Sequence, residues 1–218
     1  MMIAAGFEYW WHAMGEPVEP PNVRRNGKSG VERLTTENGV LYIKRQHDHL
    51  FYSLRYPAGY PTAMRESHAI KLIGRIGVRV PEVVFAEAHH IDGQWRAVLV
   101  TRNLEGYQDL AQWYAGGGRE RLGMEQHRSF LHKLGSVLGL LHRYHWQHTC
   151  LYPKHIFVTP GDDGHLPDIA LLDLEKARRR LLPGKAAKRD LAQLQRHAKM
   201  RDDEDWKSLL AGHAAAAL

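Results

Sequence analysis

The chain holds a single cysteine, so it makes no internal disulfide, and a reducing cytoplasm is the default compartment. No apolar run approaches the ~18–20 residues needed to cross a bilayer. The opening stretch MMIAAGFEYWWHAMGEP lacks the basic start and long apolar centre of a secretory signal, so none is expected. Internal repeats and low-complexity tracts are missing as well. No zinc-finger spacing or RNP-type motif is present, and nucleic acid is not an expected partner. His142, His145 and His148 with Cys150 match no closed zinc-site spacing: one thiol and scattered imidazoles do not make such a site.

What is present suits one sizeable core or two small lobes, since 218 residues are enough for either. The net charge is +6, and much of the surplus lies in KARRRLLPGKAAKR, residues 176 to 189. That run is either a solvated basic face or a patch for an anionic partner, with phosphorylated lipid and a membrane surface the leading choices. The aromatic start (Tyr9, Trp10, Trp11) reads as an arm covering the core, with an interfacial anchor as the alternative. The terminal AAAAL reads as a cloning remnant outside the fold.

Periodicity gives the elements. Residues 24 to 46 read as a hairpin turning at Asn38-Gly39, with Leu41 and Ile43 alternating against Tyr42 and Lys44. Residues 61 to 77 read as a helix starting near Thr62 and punctuated by Gly74 and Gly77. Residues 80 to 104 form two strands around Asp92-Gly93. QDLAQWY starts a short helix, and the three glycines at 116 to 118 are a flexible break. The strongest helix spans 124 to 145, with Phe130, Leu134, Val137, Leu138 and Leu141 on one face. HIFV and DIALLDL are strands joined by TPGDDGHLP, and the rest, from about 185, is helical. Strands first and helices afterwards mean an α+β fold or two segregated lobes.

The polar residues fit phosphoryl transfer, which asks for positioning and charge neutralisation. Lys44 follows a glycine-containing turn and presents a compact cation suited to nucleotide phosphates. Glu66, on the next helix, is placed to hold it. Asp173 ends the apolar strand IALLD, where packing explains a carboxylate poorly, and it suits Mg²⁺ shared with phosphate oxygens. The loop from His148 to His155 keeps the kinase spacing H-R-D, four residues, N, with Cys150 where the aspartate belongs. Gly27, Ser29 and Gly30 in RRNGKSGV offer a turn to lie over phosphates, short of a full G-x-G-x-x-G. Singly, each has a plainer explanation: a strand lysine, a surface glutamate, a turn acid, an ordinary hairpin. The order of the whole series is what points to a phosphotransferase.

LYIKRQ, RESHAIKLI, GVRVPEVV, HTCLYPKHIFV, LLDLEKAR and RDLAQL resemble the lipopolysaccharide kinase family of Gram-negative bacteria, in its InaA-like branch, over roughly residues 20 to 200. The resemblance implies a protein-kinase-like α+β fold in two lobes, 1–104 and 105–218, with ATP and Mg²⁺ as cofactors. It implies transfer to a heptose or other sugar hydroxyl of the lipopolysaccharide core, at the cytoplasmic face of the inner membrane. By the family pattern Lys44 contacts ATP phosphates and Glu66 anchors it. Thr101 and Asn103 belong to the hinge touching adenine, His155 takes the place of the second metal-ligand asparagine, Asp173 holds Mg²⁺, and Asp190 braces the loop. Tyr152 and His155 are retained, but the family's active heptose kinases carry an aspartate at the position of Cys150. A thiol, titrating near ~8.5, is a poor general base. Three outcomes stay open. Glu175 or another acid orients the acceptor, positioning alone supports slow transfer, or the chain is a pseudokinase that binds nucleotide without catalysis. All three need the Lys44 ammonium and the Asp173 carboxylate to share one crevice.

Overall fold

The fold is given by a computed structural model that describes residues 6–24, 27–161, 165–198 and 203–217. It divides into two compact units, residues 1–71 with 81–103, and residues 72–80 with 104–218. The division differs from a single cut after residue 104 because residues 72–80 go with the second unit. Past Gly77, at φ 90°, Arg79 forms a parallel bridge with Ala170 and accepts the Leu171 N–H at 3.0 Å.

The first unit is an antiparallel sheet with a helix on each face. It comprises α1 (Phe7–His12), β1 (Glu16–Pro17), β2 (Asn22–Arg24), β3 (Gly27–Thr36), β4 (Gly39–His47), β5 (Leu50–Phe51), β6 (Tyr60–Pro61), most of α2 (Thr62–Arg75), β7 (Val83–Ile91) and β8 (Gln94–Arg102). The main sheet runs β1-β3-β4-β8-β7, with β2 also on β3. Gly39 at φ 104°, and Asp92 and Gly93 at φ 51° and 77°, supply the left-handed turn residues that two hairpins require.

Alternation along β4 sets what each face does. Leu41 and Ile43 point to a core shared with Val98, Val100, Phe7 and Trp10, so the aromatic arm covers the sheet. Arg45, on the same face, ties that arm down by donating to the carbonyls of Trp10, at 3.1 Å, and Ala13. Lys44 and Gln46 point the other way, toward α2.

The second unit is mainly helical. It holds β9 (Gln108–Asp109), α3 (Leu110–Ala115), α4 (Gly118–Arg143), β10 (Trp146–Gln147), β11 (Ile156–Val158), β12 (Ile169–Leu171), β13 (Arg178–Arg179), α5 (Pro183–His197) and α6 (Asp203–Ala217). Strands β12, β11 and β9 form one small sheet, and β10 pairs with β13. Phe130, Leu131, Leu134, Leu138 and Leu141 are fully buried on α4, which breaks at Gly123 (φ 71°) just before its long apolar-faced stretch. Among the described residues no helix is long and apolar enough to cross a membrane.

Two expectations change. The glycines at 116 to 118 form a packed helix junction rather than a loose break, because a Cβ on Gly118 would stand 2.3 Å from the Trp113 ring. The terminal alanines belong to the fold: α6 runs through Ala217, and its backbone lies directly on α4. A Cβ on Gly135 would sit 1.9 Å from the Leu209 carbonyl oxygen, one on Gly139 2.4 Å from that of His213, and one on Gly212 1.9 Å from that of His132. Gly135→Ala is expected to force the helices apart and cost about 1–3 kcal/mol, read as a lower urea midpoint.

Candidate active site

The candidate residues fall into two groups, one in each unit. In the first, Lys44 Nζ lies 2.7 Å from Glu66 Oε2, and both side chains are largely buried, 17% and 12% exposed. The register of α2 on β4 produces this pair. Gln46 is on the same strand face as Lys44, and Thr62 is on the same helix face as Glu66. Gln46 Oε1 accepts the Ala63 N–H at 2.8 Å, closing one of the open amides at the start of α2, while its Nε2 donates to Thr62 Oγ1 at 2.9 Å. One contact pins the helix start, and one turn later Glu66 meets Lys44.

Gly27, Ser29 and Gly30 lie within strand β3 instead of forming a loop. Ser29 is buried and its hydroxyl accepts from Gln46 Nε2 at 3.2 Å, which ties its side chain into the sheet. Gly27 is required by close approach, since a Cβ there would meet the Asp48 carbonyl oxygen at 2.4 Å. Arg25 and Asn26, the tip of the expected glycine turn, lie outside the described residues. Thr101 is paired between β4 and β7, and the Asn103 N–H donates to the Val40 carbonyl at 2.9 Å. The Asn103 amide is therefore already spent on the sheet.

The second group is the loop from His148 to His155 with Asp173. Its scaffold is Asp190, on α5 and 1% exposed. Asp190 Oδ2 accepts the His148 N–H at 2.7 Å and lies 3.2 Å from His142 Nε2, while Oδ1 accepts the Thr149 N–H at 3.0 Å. Gln193, one turn further along α5, accepts the Leu151 N–H at 2.8 Å. The sequence does not single out Gln193 and brings up His142 only as a zinc candidate that fails on spacing, though the three-residue spacing of Asp190 and Gln193 on one helix face is visible there. Thr149 takes φ 67°, a costly conformation for a β-branched residue, and these bonds hold it there.

His148 is a strut. Its ring is fully buried, with Nδ1 accepting the Cys150 N–H at 3.3 Å and Nε2–H donating to the Leu172 carbonyl at 2.9 Å. Neither nitrogen is left for a substrate, so a direct catalytic part for His148 does not fit its position. Burial holds its imidazole below the ordinary value, against the opposing charge of Asp190. The ring is neutral when folded and takes up a proton when unfolded below about pH 6.5. Its stabilising contribution is thus complete above that pH and lost as pH falls through the lowered folded value. The urea midpoint is expected to drop between pH 7 and 5, with a shallower slope in His148→Asn.

His155 Nδ1–H donates to the Cys150 carbonyl at 2.7 Å, which turns Nε2 toward Asp173 Oδ2, 3.3 Å away. In the neutral ring that is a lone pair facing a carboxylate oxygen, an arrangement satisfied by a proton or a cation between them. Asp173 has φ 54° and ψ 55°, a left-handed conformation that non-glycine residues seldom adopt, and its side chain is 41% exposed. Among the described residues no group of three or more His, Cys, Asp or Glu could hold a metal. One imidazole nitrogen and one carboxylate could hold a metal only if it took its remaining ligands from elsewhere, such as phosphate oxygens.

Cys150 is half-buried, and burial raises its thiol above the ordinary value; Lys176 opposes this and Asp173 adds to it. The thiol is protonated at neutral pH. Glu175, two residues past Asp173, is half-buried in the short turn Leu174–Lys176.

A pinned lysine–glutamate pair, a braced polar loop and a left-handed aspartate after a strand are parts of a kinase-like α+β fold. The solved structure of WaaP in complex with acyl carrier protein has this fold, with a TM-score of 0.74 over 95% of this chain and 81% of that one, at 18% identity. The chain belongs to the lipopolysaccharide kinase (Kdo/WaaP) family, whose pattern its residues 8–213 match. It is 40% identical over 210 residues to Protein InaA of Escherichia coli (strain K12), covering 96% of this chain and 95% of that protein.

Proposed function

We propose that the protein binds Mg·ATP and transfers its terminal phosphoryl group to a sugar hydroxyl of the lipopolysaccharide core, working at the cytoplasmic face of the inner membrane. The observation that carries this is the Lys44–Glu66 pair at 2.7 Å, a cation held in one rotamer by a buried carboxylate. Such a cation neutralises nucleotide phosphates without reorganising as charge shifts. Asp173, with His155 at its side, would hold the metal, which supplies charge neutralisation on the phosphates. Asp190 and Gln193 fix the loop backbone, and His148 ties that loop to the strand end before Asp173. Glu175, two residues past Asp173, would orient the acceptor. Both groups of residues are proposed to act on the same nucleotide.

A second reading, a pseudokinase that responds to nucleotide, is favoured by one observation. The thiol at the base position is held neutral by burial. Calorimetric titration with Mg·ATP tests the shared premise. Wild type is expected to bind, and Lys44→Met and Asp173→Asn each to bind at least about tenfold more weakly, as losing a charge-assisted contact implies. Equal affinity in all three would sink both readings. Phosphate release above the level of the Asp173→Asn protein then selects the enzyme over the pseudokinase.

A further inference from the structure

Six cationic side chains line one groove of about 660 Å³ in the second unit: Arg178, Arg180, Lys185, Lys188, Arg189 and Arg196. Arg178 comes from β13, Arg180 from the residue just past it, and the other four from one face of α5, with the small Ala192 leaving room between them. Among the described residues none of the six is in a salt bridge. Asp190 also lines the groove, but its two oxygens are already engaged by the His148 and Thr149 amides and by His142.

This concentration opposes folding. Like charges one turn apart, as Lys185 and Arg189 are, destabilise a helix. Arg178 is held below its ordinary value by burial and by the charges of Arg180 and Arg189. The backbone of Arg178 and the side chain of Arg180 are also fixed in place. Arg178 lies opposite Gln147 in the β10–β13 pair, and Arg180 donates from Nε to Gln147 Oε1 at 2.7 Å and from its backbone to the His145 carbonyl at 2.8 Å. A solvated face would spread these charges and leave them mobile. A flat bilayer would be met by protruding cations and not by a concave wall.

We propose that this groove binds a small anion carrying clustered phosphates, either free in solution or as the headgroup of a lipid. None of the residues proposed to hold the nucleotide or its metal lines this groove. Thr149 and Gln147 line the same groove, so an occupant lies one residue from Cys150 and against the brace of the loop. Guanidinium groups at and just past β13, with the guanidinium and ammonium groups of α5, would close around the phosphates, and binding would relieve the repulsion among the six.

The test uses the full chain with inorganic pyrophosphate, in low salt with EDTA and without nucleotide. Calorimetry is expected to show saturable binding that Arg178→Gln and Arg189→Gln each weaken about tenfold. Lys207→Gln, outside the groove, and Lys44→Met should bind as wild type does. The unliganded Arg178→Gln protein is expected to melt no lower than wild type, because it loses repulsion; this separates a lost site from a lost fold. Flotation with neutral vesicles carrying a few per cent of phosphatidylinositol bisphosphate distinguishes the sources. Recruitment that Arg178→Gln abolishes assigns a lipid headgroup, and binding of pyrophosphate alone assigns a free anion; either supports the groove. No saturable pyrophosphate binding, loss of binding in Lys44→Met, or equal recruitment of wild type and Arg178→Gln to phosphatidylglycerol vesicles would overturn it.

Discussion

Cys150→Asp is expected to raise phosphoryl transfer from Mg·ATP by about 10²–10⁴-fold, the range a positioned general base supplies. The position is prepared for a carboxylate. Its backbone is held on both sides: the Cys150 N–H donates to His148, and its carbonyl accepts from His155 Nδ1 at 2.7 Å. The Lys176 charge opposes the rise of the thiol and would favour an ionised aspartate at this position. Asp173 adds repulsion, which a metal between Asp173 and the phosphates would offset. Phosphate release and transfer to a heptose-bearing acceptor, followed in wild type and variant, read the effect. An unchanged rate in a folded, nucleotide-binding variant would show that more than the base has been lost, and would favour the pseudokinase reading.

Asp190→Ala is expected to be the most damaging single change in the loop. It leaves two backbone N–H groups and the His142 ring without their buried acceptor. Each orphaned group costs roughly 1–3 kcal/mol, so the sum reaches about 3–5 kcal/mol once relaxation is allowed for. His142 also receives from His213 Nε2 at 2.9 Å, and the disturbance therefore reaches α6. Asp190→Asn keeps the shape and one acceptor oxygen and should cost less than the alanine. Urea midpoints of the two variants, with amide exchange at His148 and Thr149, check this. Native protection at those two amides in Asp190→Ala would contradict the role given to the carboxylate.

Most of the strands and helices were legible because their signals are local. Asn38-Gly39 and Asp92-Gly93 mark turns by the φ angles they permit, and the apolar spacing from Phe130 to Leu141 marks a buried helix face. Helix α6 falls in the helical remainder that the sequence shows, but its terminal alanines read as lying outside the fold, for the opposite reason. Its alanines and Gly212 carry almost no amphipathic pattern, and its place is set by how closely two backbones approach, which only Gly135, Gly139 and Gly212 together permit. Gly27, Ser29 and Gly30 lie in the strand that leaves the expected turn, and only a tertiary partner, Gln46, sets where the Ser29 side chain points. The candidate residues could be named from their order along the chain. Their roles could not, since His148 becomes a strut through carbonyl and amide groups that no side-chain pattern encodes.

The proposed function requires Lys44 and Asp173 to serve one nucleotide. A crystal structure of the protein with Mg²⁺ and a non-hydrolysable ATP analogue tests it most directly. The account predicts Lys44 Nζ within about 3 Å of an α- or β-phosphate oxygen, and Asp173 at about 2.1 Å from a metal that also touches the phosphates. An analogue bound with its phosphates against only one of the two residues, or bound elsewhere on the molecule, would contradict it.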